Sequence, residues 1–330
     1  MLLDKLRRRS AKPAAAAPAT PADAEAAALQ ARYVAWRELN PVGRADWPPA
    51  AEDVFGEAVA IPDIPADQLN DAALAAALRI KGGVVVRGLI SEAKADEVRG
   101  YVDKALGLLE DQRAGRPIDG DAGGQAAWRH ELRDPDTGEL VGPQWRADNA
   151  MFGGECSAGD SPHIAENLVQ MYREIGLTQM IENYLGEQPA VSLEKWTLRC
   201  VPPTTNTSWH QDGAFLGTET RTVNVWIALS ECGVEASGLD IIPMHFDEIV
   251  ETGTGGAYFH WDVGKDVVEE IKGDREVLTP LFKPGDAFIF DQFALHRTGV
   301  REGLTKDRYA LETWFFAPSH FPKDYHGILV

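Results

Sequence analysis

Trp209-His210-Gln211-Asp212-Gly213 is the stretch from which the rest of the chain is read. A histidine and an aspartate one residue apart, on or just past a strand, turn an imidazole and a carboxylate toward one metal. A third ligand from elsewhere gives two His and one carboxylate on one face of the ion, with other positions left open. That facial triad is the signature of non-haem Fe(II) oxygenases. His-x-Asp occurs three times, however, at His210/Asp212, His245/Asp247 and His260/Asp262. In so acidic a chain, a lone His-x-Asp also reads as a surface histidine beside an acid.

Topology separates the three. In a jelly-roll oxygenase the pair lies early in the barrel and the distal His near its end. Four strands and their turns need about 40–50 residues. His296, in Asp291-Gln-Phe-Ala-Leu-His296, is the natural distal candidate. The gap to it is too short from Asp262, marginal from Asp247 and ample from Asp212. His210, Asp212 and His296 are the expected metal ligands and catalytic centre. On spacing alone, both histidines read equally well as ordinary hydrogen-bonded residues.

With 330 residues the chain holds one large domain or two small ones, and it can bury a proper core. Its net charge of −19 argues against nonspecific binding to nucleic acid or an anionic membrane, since the field repels both. Cys156, Cys200 and Cys232 are widely spaced and odd in number, which fits packing residues in a reduced, cytoplasmic setting. No apolar run reaches membrane-spanning length. The basic N-terminus leads into an Ala/Pro-rich stretch without an aliphatic segment, so it reads as a disordered tail rather than a signal.

Helix formers dominate residues 24–39, a short helix capped by Asn70 or Asp71 covers 71–80, and Ser91 caps a longer one over 92–113. Residues 84–88 read as a buried strand. Residues 115–159 carry no periodicity, and 162–186 return to helix in two pieces. Strands are expected at 190–200, 222–229, 238–243, 277–282, 287–290 and 308–316, with Pro284-Gly-Asp286 as a tight turn. Helices first and short strands later predict α+β: a double-stranded β-helix, or jelly roll, backed by N-terminal helices. The expected organisation is a tail over 1–28 and one domain over 29–330.

Trp209-His210-Gln211-Asp212-Gly213 resembles the motif of the phytanoyl-CoA hydroxylase-like family of Fe(II)/2-oxoglutarate dioxygenases. So does Val223-Asn-Val-Trp-Ile-Ala-Leu229, where that family has a strand ending in Ala-Leu. Gly238-Leu-Asp-Ile-Ile-Pro243-Met-His245 is similar to its Gly-x-Leu…Pro-Gly-Ser-His segment, shortened at Met244, which gives His245 a place outside the metal site. Pro284-Gly-Asp286-Ala-Phe-Ile-Phe followed by His296 resembles its turn, strand and distal ligand. The likeness is good over 209–316 and loose from 82.

The resemblance implies Fe(II), 2-oxoglutarate and O2, with hydroxylation of an unactivated C–H bond in a small molecule and release of succinate and CO2. Asp212 favours hydroxylation over halogenation, because related halogenases lack the carboxylate. The far carboxylate of 2-oxoglutarate needs a cation, and arginine pairs with it in bidentate fashion. Arg308 has the offset from His296 of the family's cofactor arginine. Arg297 should point away, and Arg301 lies in a polar loop. Thr298 resembles the small hydroxyl residue that assists; Trp226 and Lys195 are weaker candidates for the pocket wall. The segment 115–159, with Trp128-Arg129 and Trp145-Arg146, is expected to form a wall or lid, Arg129 or Arg146 anchoring an acidic substrate group. A 2-oxoglutarate-independent cupin-like metalloenzyme and a silent jelly-roll binding protein share the barrel and stay open.

Overall fold

The computed structural model describes residues 21–115, 128–142, 154–205 and 208–330. In chain order these form α1 (Pro21–Glu38), β1 (Asp63–Pro65), α2 (Asp71–Ala76), β2 (Val84–Arg87), α3 (Glu92–Arg113) and β3 (Gly154–Ser157). Then come α4 (Pro162–Glu174), α5 (Leu177–Leu185), β4 (Ala190–Val201), the single turn α6 (Gly213–Leu216), β5 (Thr222–Ala228) and β6 (Gly238–Ile241). Last are α7 (Lys265–Lys272), β7 (Ala287–Phe290), β8 (His296–Gly299), β9 (Arg308–Phe316) and β10 (Gly327–Leu329).

Seven strands lie in the order β1-β2-β7-β5-β9-β4-β10, and β3 adds to β4 to make eight. β6 and β8 form a second, two-stranded sheet. This is a mixed α/β fold with one large sheet; among the described residues no closed barrel forms. Isolated bridges lengthen the small sheet's neighbourhood, pairing Trp209 with Val263, His210 with His296 and Ile241 with Leu278.

Side-chain alternation divides the large sheet into two buried faces. Val223, Val225 and Ile227 of β5 join Leu311 and Phe315 of β9 in the larger core, against Leu74 and Leu78 and helix α4. Trp226, Ala228, Phe288, Phe290, Trp314 and Phe316 build a second core on the other face. Every residue of β5 is buried, as expected for a strand covered on both sides. Tyr172 of α4 ties the helical layer down: its hydroxyl meets Thr313 Oγ1 at 2.6 Å and accepts from Trp196 Nε1 at 3.1 Å.

Several local expectations shift. Residues 21–28, expected in the tail, are the first turns of α1, with Ala22 and Ala26 buried. Asn70 caps α2 through Ala73 N–H, but Ala77–Lys81 widen into a π-turn that ends at Gly82 in left-handed backbone. No strand forms over 277–282. Pro280 lacks the N–H a ladder needs, and only Leu278 and Phe282 make single bridges. The strand expected over 238–243 stops at Ile241, two residues before Pro243. Within 115–159, residues 116–127 and 143–153 lie outside the described set. Between them Arg133 bridges Leu140 around a turn in which Asp134 Oδ1 accepts from Asp136 and Thr137 N–H.

The turn before β7 forms as expected. Asp286 accepts from Gly88 N–H and Lys283 N–H, each at 2.9 Å, and from Arg87 Nη1 at 2.8 Å. Gly285 has φ +93°, and a Cβ there would collide with the Ile90 carbonyl. Gly285→Ala should therefore cost about 2–3 kcal/mol. Urea unfolding should show a lower midpoint with an unchanged slope, and a midpoint equal to wild type would contradict the close approach.

Candidate metal centre

Antiparallel backbone pairing builds the centre. His210 N–H donates to the His296 carbonyl at 3.0 Å, and His296 N–H returns the bond to His210 at 3.1 Å. Residues paired in this way project side chains to the same face. The two imidazole centroids lie 4.4 Å apart. Gln211, between the ligands, points to the opposite face and is fully buried. Its Nε2 donates to the carbonyls of Glu248 and Phe293, and its Oε1 accepts from Val250 N–H. Gln211 thus holds the loop at 248–250 and the segment before His296 to the same strand.

Asp212 follows that bridged segment and opens α6, its carbonyl accepting from Phe215 and Leu216 N–H. Gly213 follows because a Cβ there would press on Ile249 and the Gln292 carbonyl. Asp212 Oδ1 stands 3.9 Å from His210 Nε2, and Oδ2 3.8 Å from His296 Nε2, too long for hydrogen bonds. Ligand atoms from all three residues lie within 4.8 Å of one another; among the described residues no other group of His, Cys, Asp or Glu could hold a metal ion.

The donor set fits a divalent cation. Nδ1 of His210 lies 2.8 Å from the Ser208 carbonyl, and Nδ1 of His296 lies 3.0 Å from the Ala294 carbonyl. A carbonyl only accepts, so each Nδ1 carries the proton and each Nε2 presents its lone pair to the centre. Burial, with His296 beside it, pushes His210 down to about 4, which keeps the imidazole neutral and able to ligate. Asp212 Oδ2 is buried without a hydrogen-bond partner, an orphan that a cation would satisfy. The rival pairs are different in kind. His245 Nδ1 lies 3.7 Å from an exposed Asp247, and His260 is exposed. Asp262 is buried and accepts from Phe259 N–H in its own loop.

A cavity of about 450 Å³ opens over the triad. At one end Arg308 is buried, and its Nη1 donates to the Gly238 carbonyl at 3.2 Å and to Thr298 Oγ1 at 3.3 Å. Its guanidinium lies 5.8 Å from the Trp226 ring, its Nε has no partner, and no acid among the described residues pairs with it. Burial, then the charge of Arg199, pushes it down to about 10, as expected of a cation lacking its anion. Arg301 is exposed, and Arg297 is held by Asp240 at 3.0 Å.

The sequence reading missed most of the opposite wall. Arg199 on β4 pairs with Glu312 on β9 at 2.9 Å and with Glu155 on β3 at 3.4 Å. Burial raises Glu312, but Arg199, Lys195 and His296 outweigh it and hold the carboxyl down to about 2. Phe215, Phe259 and Trp261 form an aromatic wall, with Phe259 and Trp261 stacked at 5.2 Å. The signal for Glu312 was present: it is four residues from Arg308, hence on the same strand face. Lys195 also lines the cavity, its Nζ 4.2 Å from the Phe215 ring centre. Arg129 is half-buried and does not line the cavity, and its neighbour Trp128 packs on Tyr101 and His163 of the helical side. Trp145 and Arg146 lie outside the described residues.

The family model for phytanoyl-CoA dioxygenase matches residues 78–302. Among solved structures, EctD from S. alaskensis with bound Fe is 16% identical over 85% of each chain, at a TM-score of 0.49. The non-heme alpha ketoglutarate dependent carbocyclase SnoK from nogalamycin biosynthesis is 14% identical over 76% of this chain and 85% of its own, at 0.47. EvdO2 from Micromonospora carbonacea var. aurantiaca, complexed with 2-oxoglutarate, is 17% identical over 76% and 88%, at 0.39. Comparison with curated proteins gives no match.

Two buried groups, His210 and Asp291, shift in opposite senses in the metal-free protein. His210 stays neutral in the fold to about pH 4, whereas its ordinary value is 6.5. Between these the unfolded chain binds the extra proton, so acidification removes stability, by about 3 kcal/mol in all. Burial raises Asp291 from 3.8 to about 7, so there the folded chain binds the extra proton and stability is lost as pH rises. The two should largely cancel between pH 4 and 6.5. Asp291→Asn should unmask the histidine, stability then falling by about 3 kcal/mol on acidification from 6.5 to 4. Urea midpoints across that range measure it; equal slopes for variant and wild type would refute the balance.

Proposed function

Because the chain belongs to the phytanoyl-CoA dioxygenase family, we propose that it is an Fe(II)- and 2-oxoglutarate-dependent oxygenase whose iron is held by His210, Asp212 and His296. The observation that carries this reading is the buried, unpartnered Asp212 Oδ2 facing two imidazoles whose Nε2 lone pairs are free. Bound iron supplies the activation of O2, and 2-oxoglutarate the electrons, leaving as succinate and CO2.

The chain's own residues do the rest. Arg308, buried and without an acid, receives the far carboxylate of 2-oxoglutarate, and Thr298 donates beside it. Trp226 walls that end under the guanidinium. The aromatic residues Phe215, Phe259 and Trp261 exclude water from the substrate side. The reaction assigned is hydroxylation of an unactivated C–H bond in a small molecule. The large and small sheets are read as the two halves of a jelly roll, and residues 29–330 as one domain with 115–159 as wall or lid. The setting is cytoplasmic: the three cysteines are free, two of them buried. No helix among the described residues is long and apolar enough to cross a membrane.

Anaerobic reconstitution followed by metal analysis tests the ligands. His210→Ala, Asp212→Ala and His296→Ala should each lose most of the bound Fe(II), while His245→Ala and His260→Ala keep it. Iron retained by His210→Ala but lost by His260→Ala would move the site elsewhere.

The co-substrate has its own test in the visible charge-transfer absorption of a keto acid chelated to iron. Arg308→Ala should raise the 2-oxoglutarate concentration needed by at least 30-fold, since a buried carboxylate losing its bidentate partner costs roughly 2–5 kcal/mol. Arg301→Ala should titrate like wild type. A cupin-like enzyme would bind iron without that absorption, and a silent binding protein would bind neither.

A further inference from the structure

Among the described residues three cations line the cavity: Arg308, Arg199 and Lys195. Arg308 has been given to the co-substrate. Arg199 is engaged by Glu312 and Glu155. Lys195, like Arg308 and unlike Arg199, has no carboxylate among the described residues within ion-pair distance. Glu312, which feels the charge of Lys195, has both oxygens occupied: Oε1 accepts from Asn224 Nδ2 and Trp314 Nε1, and Oε2 from Arg199. The ammonium instead lies over the face of Phe215, 4.2 Å from its centre. A lysine on the open surface would be solvated without consequence. One that lines a cavity against an aromatic face is a charge in search of a counter-ion.

Lys195 and Arg308 enter the cavity from well-separated backbone positions. Arg308 is paired with Val201 across β4 and β9, and Lys195 lies six residues further along β4 on the same face. That is roughly 20 Å of extended strand between the two backbone positions. The Phe215 ring under the ammonium stacks at 6.5 Å on the His210 ring, so Lys195 lies next to the His210 side of the triad, whereas Arg308 bonds to Thr298.

We infer that Lys195 anchors a carboxylate on the organic substrate, which is therefore a small carboxylic acid held along the Phe215 and Trp261 wall, with the metal centre between its anchor and that of 2-oxoglutarate. The one positive charge that Lys195 carries matches a monoanion better than a phosphate dianion. The inference rests on the oxygenase reading above, which places 2-oxoglutarate at Arg308.

The test uses the full chain, loaded anaerobically with Fe(II) and saturating 2-oxoglutarate. Benzoate, benzamide and phenyl phosphate are titrated in turn, following the charge-transfer absorption and tryptophan emission. Benzoate should bind, and benzamide should fail at tenfold higher concentration. Lys195→Met should weaken benzoate at least tenfold, with its 2-oxoglutarate titration within twofold of wild type; Lys195→Arg should restore most of the affinity. Equal binding of benzoate and benzamide, or binding of none of the three probes, overturns the anchor. So does a Lys195→Met variant that loses 2-oxoglutarate as severely as benzoate. Tighter phenyl phosphate with the same dependence on Lys195 overturns the carboxylate class. If the absorption never forms before a probe is added, the oxygenase reading itself fails and this inference with it. If it forms and benzoate does not bind, only the inference falls.

Discussion

The pair of backbone hydrogen bonds joining His210 to His296 is the constraint on which the site depends. It brings residues 86 positions apart into direct opposition, and its register puts both imidazoles on one face. Because side chains alternate with a period of two, a slip of one residue would turn a ligand out of the centre and Gln211 or Leu295 into it. Gln211 opposes that slip with three hydrogen bonds on the far side of the strand. Its burial would be expensive if any of these polar partners were missing, so register and satisfaction enforce each other.

Charge within the cavity is arranged by the same alternation. β4 and β9 each present a row of alternate residues to it, so Lys195 and Arg199 share a face, as do Arg308 and Glu312. Cross-strand pairing sets Glu155 opposite Arg199 and Thr197 opposite Glu312, which places the acids about one guanidinium. Desolvating these ions is costly, and stability alone is a weak reason to keep them. Their effect is to partition the cavity. One end holds an arginine without an acid, the middle a neutralised cluster, and the other end a lysine on an aromatic face. The irregularity between Val191 and Trp196 in the β4–β9 pairing lies next to Lys195 and sets where that row begins.

Much of this organisation was readable in one dimension. The β5 run Val-Asn-Val-Trp-Ile-Ala and the β9 run ending Thr-Trp-Phe-Phe are apolar on both faces, and both became central strands. The cap at Asn70 and the turn at Gly285-Asp286 were likewise visible, because each depends on chemistry local to a few residues; the three residues at the centre were visible only through their long-range spacing. The short strands β1, β3 and β10 were not. Their existence depends on an edge offered by another strand, which no short window contains. The helix α7 was also missed: its apolar face, Val267, Val268 and Ile271, is only three residues within a two-turn helix.

The sequence by itself determined the kinds of group available and which strand faces they occupy: the His-x-Asp pair, a histidine some four strands on, and an arginine twelve residues after that. What only the tertiary structure decided is how those faces meet. Three His-x-Asp pairs have nearly the same local chemistry, and folding distinguishes them by burial: His210 enters an interior paired with His296, while His260 is left on an exposed loop. The assignment of Lys195 and Arg199 is of the same kind. Both are cations four residues apart on one strand, yet Glu312 and Glu155, from two other strands, neutralise one and leave the other over Phe215. Charge is a property of a residue, but its compensation is a property of distance, and distances between strands are set only when the sheet closes on its helices.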